Sequence, residues 1–174
     1  MATQRNIVME IHRAIKQGNL ALVIQLMEED PSRLHMNTPF GTWLQDAARH
    51  GQVEIAKWFI DQELDVNAFS DLFESRPIEL AAAEGHLELV QLLIDAGASL
   101  DVSNSIRNPL LTAIVGDRSE SSTAVAKLLI DSGIDTDIIY PNLGNDDALD
   151  RAILWGRSDI ADLIREHQKK KRNT

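Results

Sequence analysis

Five histidines, His12, His35, His50, His86 and His167, are the side chains best able to move a proton or hold a metal near neutral pH. Their spacing matches no catalytic signature. The chain contains no H-E-x-x-H, no G-x-S-x-G and no glycine-rich loop that could cradle phosphate. Carboxylates gather at Glu28-Glu29-Asp30 and at Asp146-Asp147. The first group precedes Pro31 and reads as a solvated turn. The second opens a helical segment, where negative charge offsets the helix dipole. Asp135-Thr-Asp137 does not supply the alternating oxygen ligands that a calcium loop spreads over about 12 residues. With no cysteine, disulfides and thiolate metal sites are excluded. This reading expects no catalytic residue, no cofactor and no metal site, with His50 a polar contact on a helix surface.

Charge narrows the partner. The chain carries 17 basic and 27 acidic side chains, a net charge of −10. Four of the basic residues, Lys169, Lys170, Lys171 and Arg172, lie in the last seven positions, which read as a solvated, frayed tail. Residues 1–167 therefore hold 13 basic and 27 acidic groups, a net −14. A surface that acidic repels nucleic acid and anionic membranes and attracts a basic partner. The longest apolar run, Leu20 to Ile24, is five residues, against the roughly 20 that cross a bilayer. No secretory signal is expected in the first 18 residues, and a cytoplasmic setting is expected for this cysteine-free chain.

The elements that must position these groups repeat. Thr42-Trp-Leu-Gln-Asp-Ala-Ala-Arg-His-Gly51 aligns with Arg76-Pro-Ile-Glu-Leu-Ala-Ala-Ala-Glu-Gly85. Both align with Asn108-Pro-Leu-Leu-Thr-Ala-Ile-Val-Gly116 and Asp147-Ala-Leu-Asp-Arg-Ala-Ile-Leu-Trp-Gly156, and a degenerate copy ends at Gly18. Gly18, Gly51 and Gly85 stand 33 and 34 residues apart. After each glycine comes a second apolar stripe of helical period, such as Val53-Glu-Ile-Ala-Lys-Trp-Phe-Ile60 and Leu87-Glu-Leu-Val-Gln-Leu-Leu-Ile94. Gly97 and Gly133 fall where a helix ends and a left-handed residue is needed, and Glu63 occupies the same place in the second copy. Glu63 is expected to strain that turn or change its type.

Residues 76–101 match the ankyrin-repeat pattern almost without interruption, and the resemblance extends over about residues 5–167. It implies an all-α fold, a solenoid of about five helix-turn-helix repeats with capped ends. The expected repeats are roughly 5–36, 37–70, 71–102, 103–139 and 140–167, forming one domain over residues 1–167, with 168–174 as the basic tail. Stability would come from stacking, since no single repeat buries its own apolar face. Trp43 replaces the usual proline. Trp43, Trp58 and Phe59 fall at packing positions. Gln25 stands where later copies have Trp58, Leu92, Leu128 and Leu163, as an end cap would. Asp162 and Arg165 suggest a cap at the other end. Gly116 to Ser122 is roughly four residues longer than the equivalent link elsewhere and reads as an extended polar loop. His12 and His86 sit where such repeats close hydrogen bonds to neighbouring loops.

The resemblance further implies a concave groove formed by the first helices and the hairpin tips. The residues before each glycine, Lys16, Gln17, Arg49, His50, Ala83, Glu84, Leu154 and Trp155, would line it. The tips add Phe40, Leu72, Phe73, Arg107, Asn145 and Asp146, with Tyr140 facing out. Arg49, His50, Phe73, Glu84, Arg107, Asp146 and Trp155 are the expected partner-binding residues. The function implied is a non-enzymatic module, monomeric when free, that binds another protein of basic surface and neither nucleic acid nor membrane. An alternative is an immunity protein that neutralises a bacterial toxin. An enzyme or metal-binding protein is the third reading, and no motif supports it.

Overall fold

The computed structural model describes residues 2–69, 74–116 and 119–173. Among these, the chain forms five antiparallel helix pairs: α1 (Ala2–Lys16) with α2 (Leu20–Glu29), α3 (Trp43–Arg49) with α4 (Val53–Asp61), α5 (Pro77–Ala83) with α6 (Leu87–Asp95), α7 (Pro109–Val115) with α8 (Glu120–Asp131), and α9 (Ala148–Leu154) with α10 (Ser158–Arg172). Short 3-10 turns at Pro31–His35 and Pro141–Leu143 lie in the connections. The only extended pairing among the described residues is two isolated bridges, Thr38 with Gly41 and Tyr140 with Asp146. The expected all-α solenoid is observed.

Local chemistry sets the helix ends. Thr42 and Gln45 form a reciprocal capping box that starts α3, while Asp147 accepts from the Asp150 backbone N–H and starts α9. Pro77 and Pro109 occupy the first turns of α5 and α7, where their missing N–H costs nothing. A glycine in left-handed conformation ends four of the five first helices, at 18, 51, 85 and 156. Gly116 is different. Its φ is −67°, and a Cβ there would lie 2.2 Å from the Ala83 carbonyl oxygen. The glycine at 116 therefore serves close approach between repeats, whereas the others serve the turn.

Small side chains make the stack close. Ala47, Ala48, Ala81 and Ala82 are fully buried where α3 and α5 pack on each other and on α1 and α7. A second row, α2 against α4, α4 against α6, α6 against α8 and α8 against α10, buries Ile55, Phe59, Leu89, Leu93 and Leu129. Trp43 is fully buried with its indole N–H donating to the Arg33 carbonyl at 2.7 Å. Phe59 is likewise fully buried. Trp58 is only half-buried, an edge-on lid against Phe59 at 5.3 Å, so the large core volume of that helix belongs to Phe59 alone. Leu92, Leu128 and Leu163 share this half-buried row, and Gln25 at the equivalent position is exposed.

Side chain to backbone bonds stitch each repeat to the one before. The residue that follows the turn glycine reaches back to the end of the preceding first helix. Gln52 donates to the Lys16 carbonyl at 3.3 Å, His86 to the Arg49 carbonyl at 3.2 Å, and Arg157 to the carbonyls of Ala113 and Ile114 at 3.3 and 3.5 Å. His86 thus has the structural role its position implied. The hairpin side carries a second set. Gln45 donates to the Ser75 carbonyl at 2.6 Å, and Arg76, buried against Glu79, donates to the Arg107 carbonyl at 2.9 Å.

Four expectations change here. Tyr140 does not face out: it is 3% exposed, its hydroxyl donating to the Val102 carbonyl and accepting from Asn108, both at 2.7 Å. The basic C-terminal segment is not frayed. Helix α10 continues through Arg172, with Gln168 and Lys171 bonded to Asp137 at 2.9 and 2.8 Å. Part of the long link in the fourth pair is helical, because Glu120 to Ser122 form the first turn of a twelve-residue α8. The C-terminal cap is incomplete. Asp162 and Arg165 are exposed as a cap requires, but Ile153 is 52% exposed, whereas its counterparts Ile15, Ala48, Ala82 and Ile114 are buried by a following repeat.

Candidate protein-binding groove

Three first helices and three hairpin loops converge on one open cavity of about 450 Å³. Ala83 of α5, Leu111 and Val115 of α7, and Arg151 of α9 line it together with Ile106 and Leu143 from the loops. Its lining is mainly apolar, and Val115 and Ile106 are 46% and 49% exposed. Helix ends place it. Residues at the C-terminal ends of these helices lie beside the glycine turn rather than in the alanine-packed interface, and Val115 and Leu154 are exposed there. Beyond this cavity the end of α9 adds Leu154, 67% exposed, and Trp155, 37% exposed, beside the uncovered Ile153.

The expected site residues distribute as follows. Arg49 and Glu84 close the first helices of their repeats, Glu84 exposed and Arg49 half-buried, with its carbonyl engaged by His86. The Arg107 guanidinium lies 4.3 Å over the ring of Phe69, which is itself exposed. Asp146 pairs with Arg151 at 3.4 Å across the edge of the cavity. Trp155 caps α9. Leu72 and Phe73 lie outside the described residues. The sequence reading passed over Val115 and Ile106, although Val115, counted from the start of its helix, holds the register of Ala83 and Leu154. The signal was the repeat alignment itself, obscured because this copy is one residue shorter before its glycine.

His50 is more than the polar surface contact expected of it. It lies with its Nε2 3.6 Å from Asp46 Oδ1, while His12 of α1 bonds the other carboxylate oxygen at 2.8 Å. Phe40, expected at a hairpin tip, stacks flat on His12 with centroids 3.6 Å apart and planes 7° from parallel. The Asp46 side chain is 1% exposed, and burial pushes its pKa up from the ordinary carboxylate value, partly offset by the hydrogen bond from His12. Burial likewise lowers the His50 pKa, with Asp46 pulling the other way. His12, Asp46 and His50 therefore form one cluster, where the sequence suggested a loop-closing histidine, an unremarked aspartate and a surface histidine.

Residues 11–104 and 78–174 match the family described as ankyrin repeats in three copies. The chain is an ankyrin-repeat protein. It is 29% identical over 133 residues to a putative ankyrin repeat protein of Rickettsia felis, covering 73% of this chain and 59% of that one. It is 29% identical over 104 residues to the ankyrin repeat and KH domain-containing protein mask-1 of Caenorhabditis elegans, covering 59% of this chain and 4% of that protein. It is 27% identical over 168 residues to the putative palmitoyltransferase ZDHHC13 of Danio rerio, covering 68% of this chain and 26% of that one. The chain thus spans well under two thirds of each of these relatives. Ankyrin repeats are generally protein–protein interaction modules and typically not enzymes. No described helix of this ankyrin-repeat protein is long and apolar enough to cross a membrane.

Proposed function

We propose that this ankyrin-repeat protein binds a partner protein along its concave groove and performs no chemistry of its own. The observation that carries this reading is the apolar cavity built jointly by α5, α7, α9 and their loops, continued by Leu154 and Trp155. Trp and Arg side chains, such as Trp155 and Arg107 here, are among the residue types that dominate interface energies, and the exposed aliphatics around them exclude water. Arg49, His50, Glu84, Arg107, Asp146 and Trp155 border the same surface in this reading, with Val115 and Ile106 added and His50 acting from its place beside Asp46, and Phe73 is kept as a candidate from the sequence alone. The acidic body, net −14 over residues 1–167, favours a basic partner by steering the encounter, while the apolar contacts supply the affinity.

A more specific reading is inhibition of a basic, nuclease-type toxin, for which the same acidity is the supporting observation. Titrating a candidate toxin's activity with the pure protein separates this from a plain adaptor, which would leave the partner's activity intact.

The groove reading is tested by binding kinetics on the partner that co-purifies from the native host. Raising salt should slow association and leave dissociation nearly unchanged, because screening acts on exposed charge. Trp155→Ala and Leu154→Ala should do the reverse and speed dissociation. If both variants bind as the wild type does while truncation after Gln168 weakens binding, the contact lies on the C-terminal helix and the groove reading fails.

A further inference from the structure

Two buried polar atoms in the described structure have no hydrogen-bond partner and face each other: Asp46 Oδ1 and His50 Nε2, 3.6 Å apart. A carboxylate oxygen accepts only. At this separation the two make at most a loose ion pair and no good hydrogen bond, so the buried carboxylate oxygen lacks a full-strength partner. Leaving such groups unsatisfied at a buried carboxylate is costly. A cation between them would satisfy both at once.

The surroundings have the form of a ligand set. Asp46 and His50 are one helical turn apart on α3, and His12 comes from the neighbouring α1 with Nδ1 2.8 Å from Asp46 Oδ2. One ligand atom from each of the three lies within 4.8 Å of the others. With metal–nitrogen bonds of about 2.0–2.1 Å, ligand atoms on a tetrahedral zinc ion stand about 3.3 Å apart, so the observed separations need only small side-chain adjustments. The rings are already held. His12 is stacked on Phe40, and the capping box of Thr42 and Gln45 fixes the start of the helix that carries the other two ligands. Two imidazoles and one carboxylate are a borderline donor set, suited to zinc and its neighbours and unsuited to calcium or magnesium, which take oxygen.

We propose that His12, Asp46 and His50 form a binding site for one divalent transition-metal ion of the zinc class, at the junction of the first two repeats. Both imidazoles bind in neutral form, and the His12 proton moves from Nδ1 to Nε2 as the hydrogen bond to Asp46 gives way to metal bonds. Both histidines keep part of their side chains in solvent, 17% for His12 and 23% for His50. A water carried in with the ion would complete the fourth position. By joining α1 to α3, the ion fastens the first repeat to the stack.

Titration of the full-length protein with zinc in a calorimeter, and with cobalt followed by visible absorption, tests this. The expected result is saturable uptake of one ion per chain, with the intense absorption of four-coordinate cobalt and a higher melting temperature with zinc. His50→Ala shortens a side chain that is 23% exposed and should leave the fold intact. It should weaken binding at least tenfold, since losing even an outer-shell partner costs about 10–100-fold. His12→Ala should do the same, and His167→Ala should change nothing. Absence of 1:1 uptake overturns the proposal, as does uptake that survives His50→Ala unweakened, which would place the ion on other surface histidines.

Discussion

Glu63 holds the second repeat in a conformation that its neighbours leave to glycine. Its φ is +63°, and the equivalent positions Gly97 and Gly133 lie at +89° and +88°. A left-handed backbone costs an L-residue about 1–2 kcal/mol. Replacing Glu63 by glycine removes that strain but frees the unfolded chain, which gives back about 0.4–1 kcal/mol. The Glu63 side chain is exposed, so its deletion contributes little else. Glu63→Gly should therefore stabilise the fold by about 0.5–1 kcal/mol, a rise of about 1–4 °C in melting temperature for a chain of this size. Gly97→Ala is the mirror experiment. A Cβ at position 97 meets nothing within 4 Å, so its effect is the backbone cost alone, and it should destabilise by a similar amount. Urea melts of both variants measure the two signs directly. The reasoning is refuted if Glu63→Gly destabilises, or if Gly97→Ala is neutral.

Three further outcomes follow from packing and charge. Phe59→Ala should cost about 3–5 kcal/mol in denaturant melts, and Trp58→Ala clearly less, because only the first empties a fully enclosed volume; equal losses would contradict the assigned buried face. Gly116→Ala should destabilise more than Gly97→Ala, since its Cβ would collide with the Ala83 carbonyl rather than enter open space; a melt that ranks them the other way removes the close-approach argument. Asp159 is held down to about 2 by hydrogen bonds from Arg157 and Thr123. Its folded pKa lies below the unfolded value of 3.8, so its contribution is present above that value and is lost as pH falls toward 2. Asp159→Asn should flatten that acid limb of stability, and an unchanged limb would show that Arg157 does not favour the charged form.

The repeat architecture was legible in the sequence because its constraints are local. Alanine pairs four residues before a glycine, and aliphatics at helical spacing after it, can be read without knowing what they touch. Adjacent aromatics are harder. Trp58 and Phe59 differ by 100° around α4, and only the neighbouring helices decide which of them is enclosed. Tyr140 lies in a loop with no period, so its burial depends on Asn108 and Val102, more than 30 residues away. The extension of α10 past residue 167 rests on Gln168 and Lys171 reaching Asp137, polar contacts that leave no apolar stripe. The histidine–aspartate cluster was closer to legible than it looked. His12 and Asp46 are 34 residues apart, one repeat, and His50 is one helical turn beyond, so the register already placed all three together.

The central claim, that the groove is the binding face, is tested most directly by amide hydrogen exchange on the protein with and without its bound partner. The account predicts new protection at the ends of α5, α7 and α9, around Glu84, Val115 and Trp155, and in the loops that carry Ile106 and Leu143, with the outer faces of α4, α6 and α8 unchanged. Protection confined to α4, α6 and α8, with the groove exchanging as in the free protein, would contradict it.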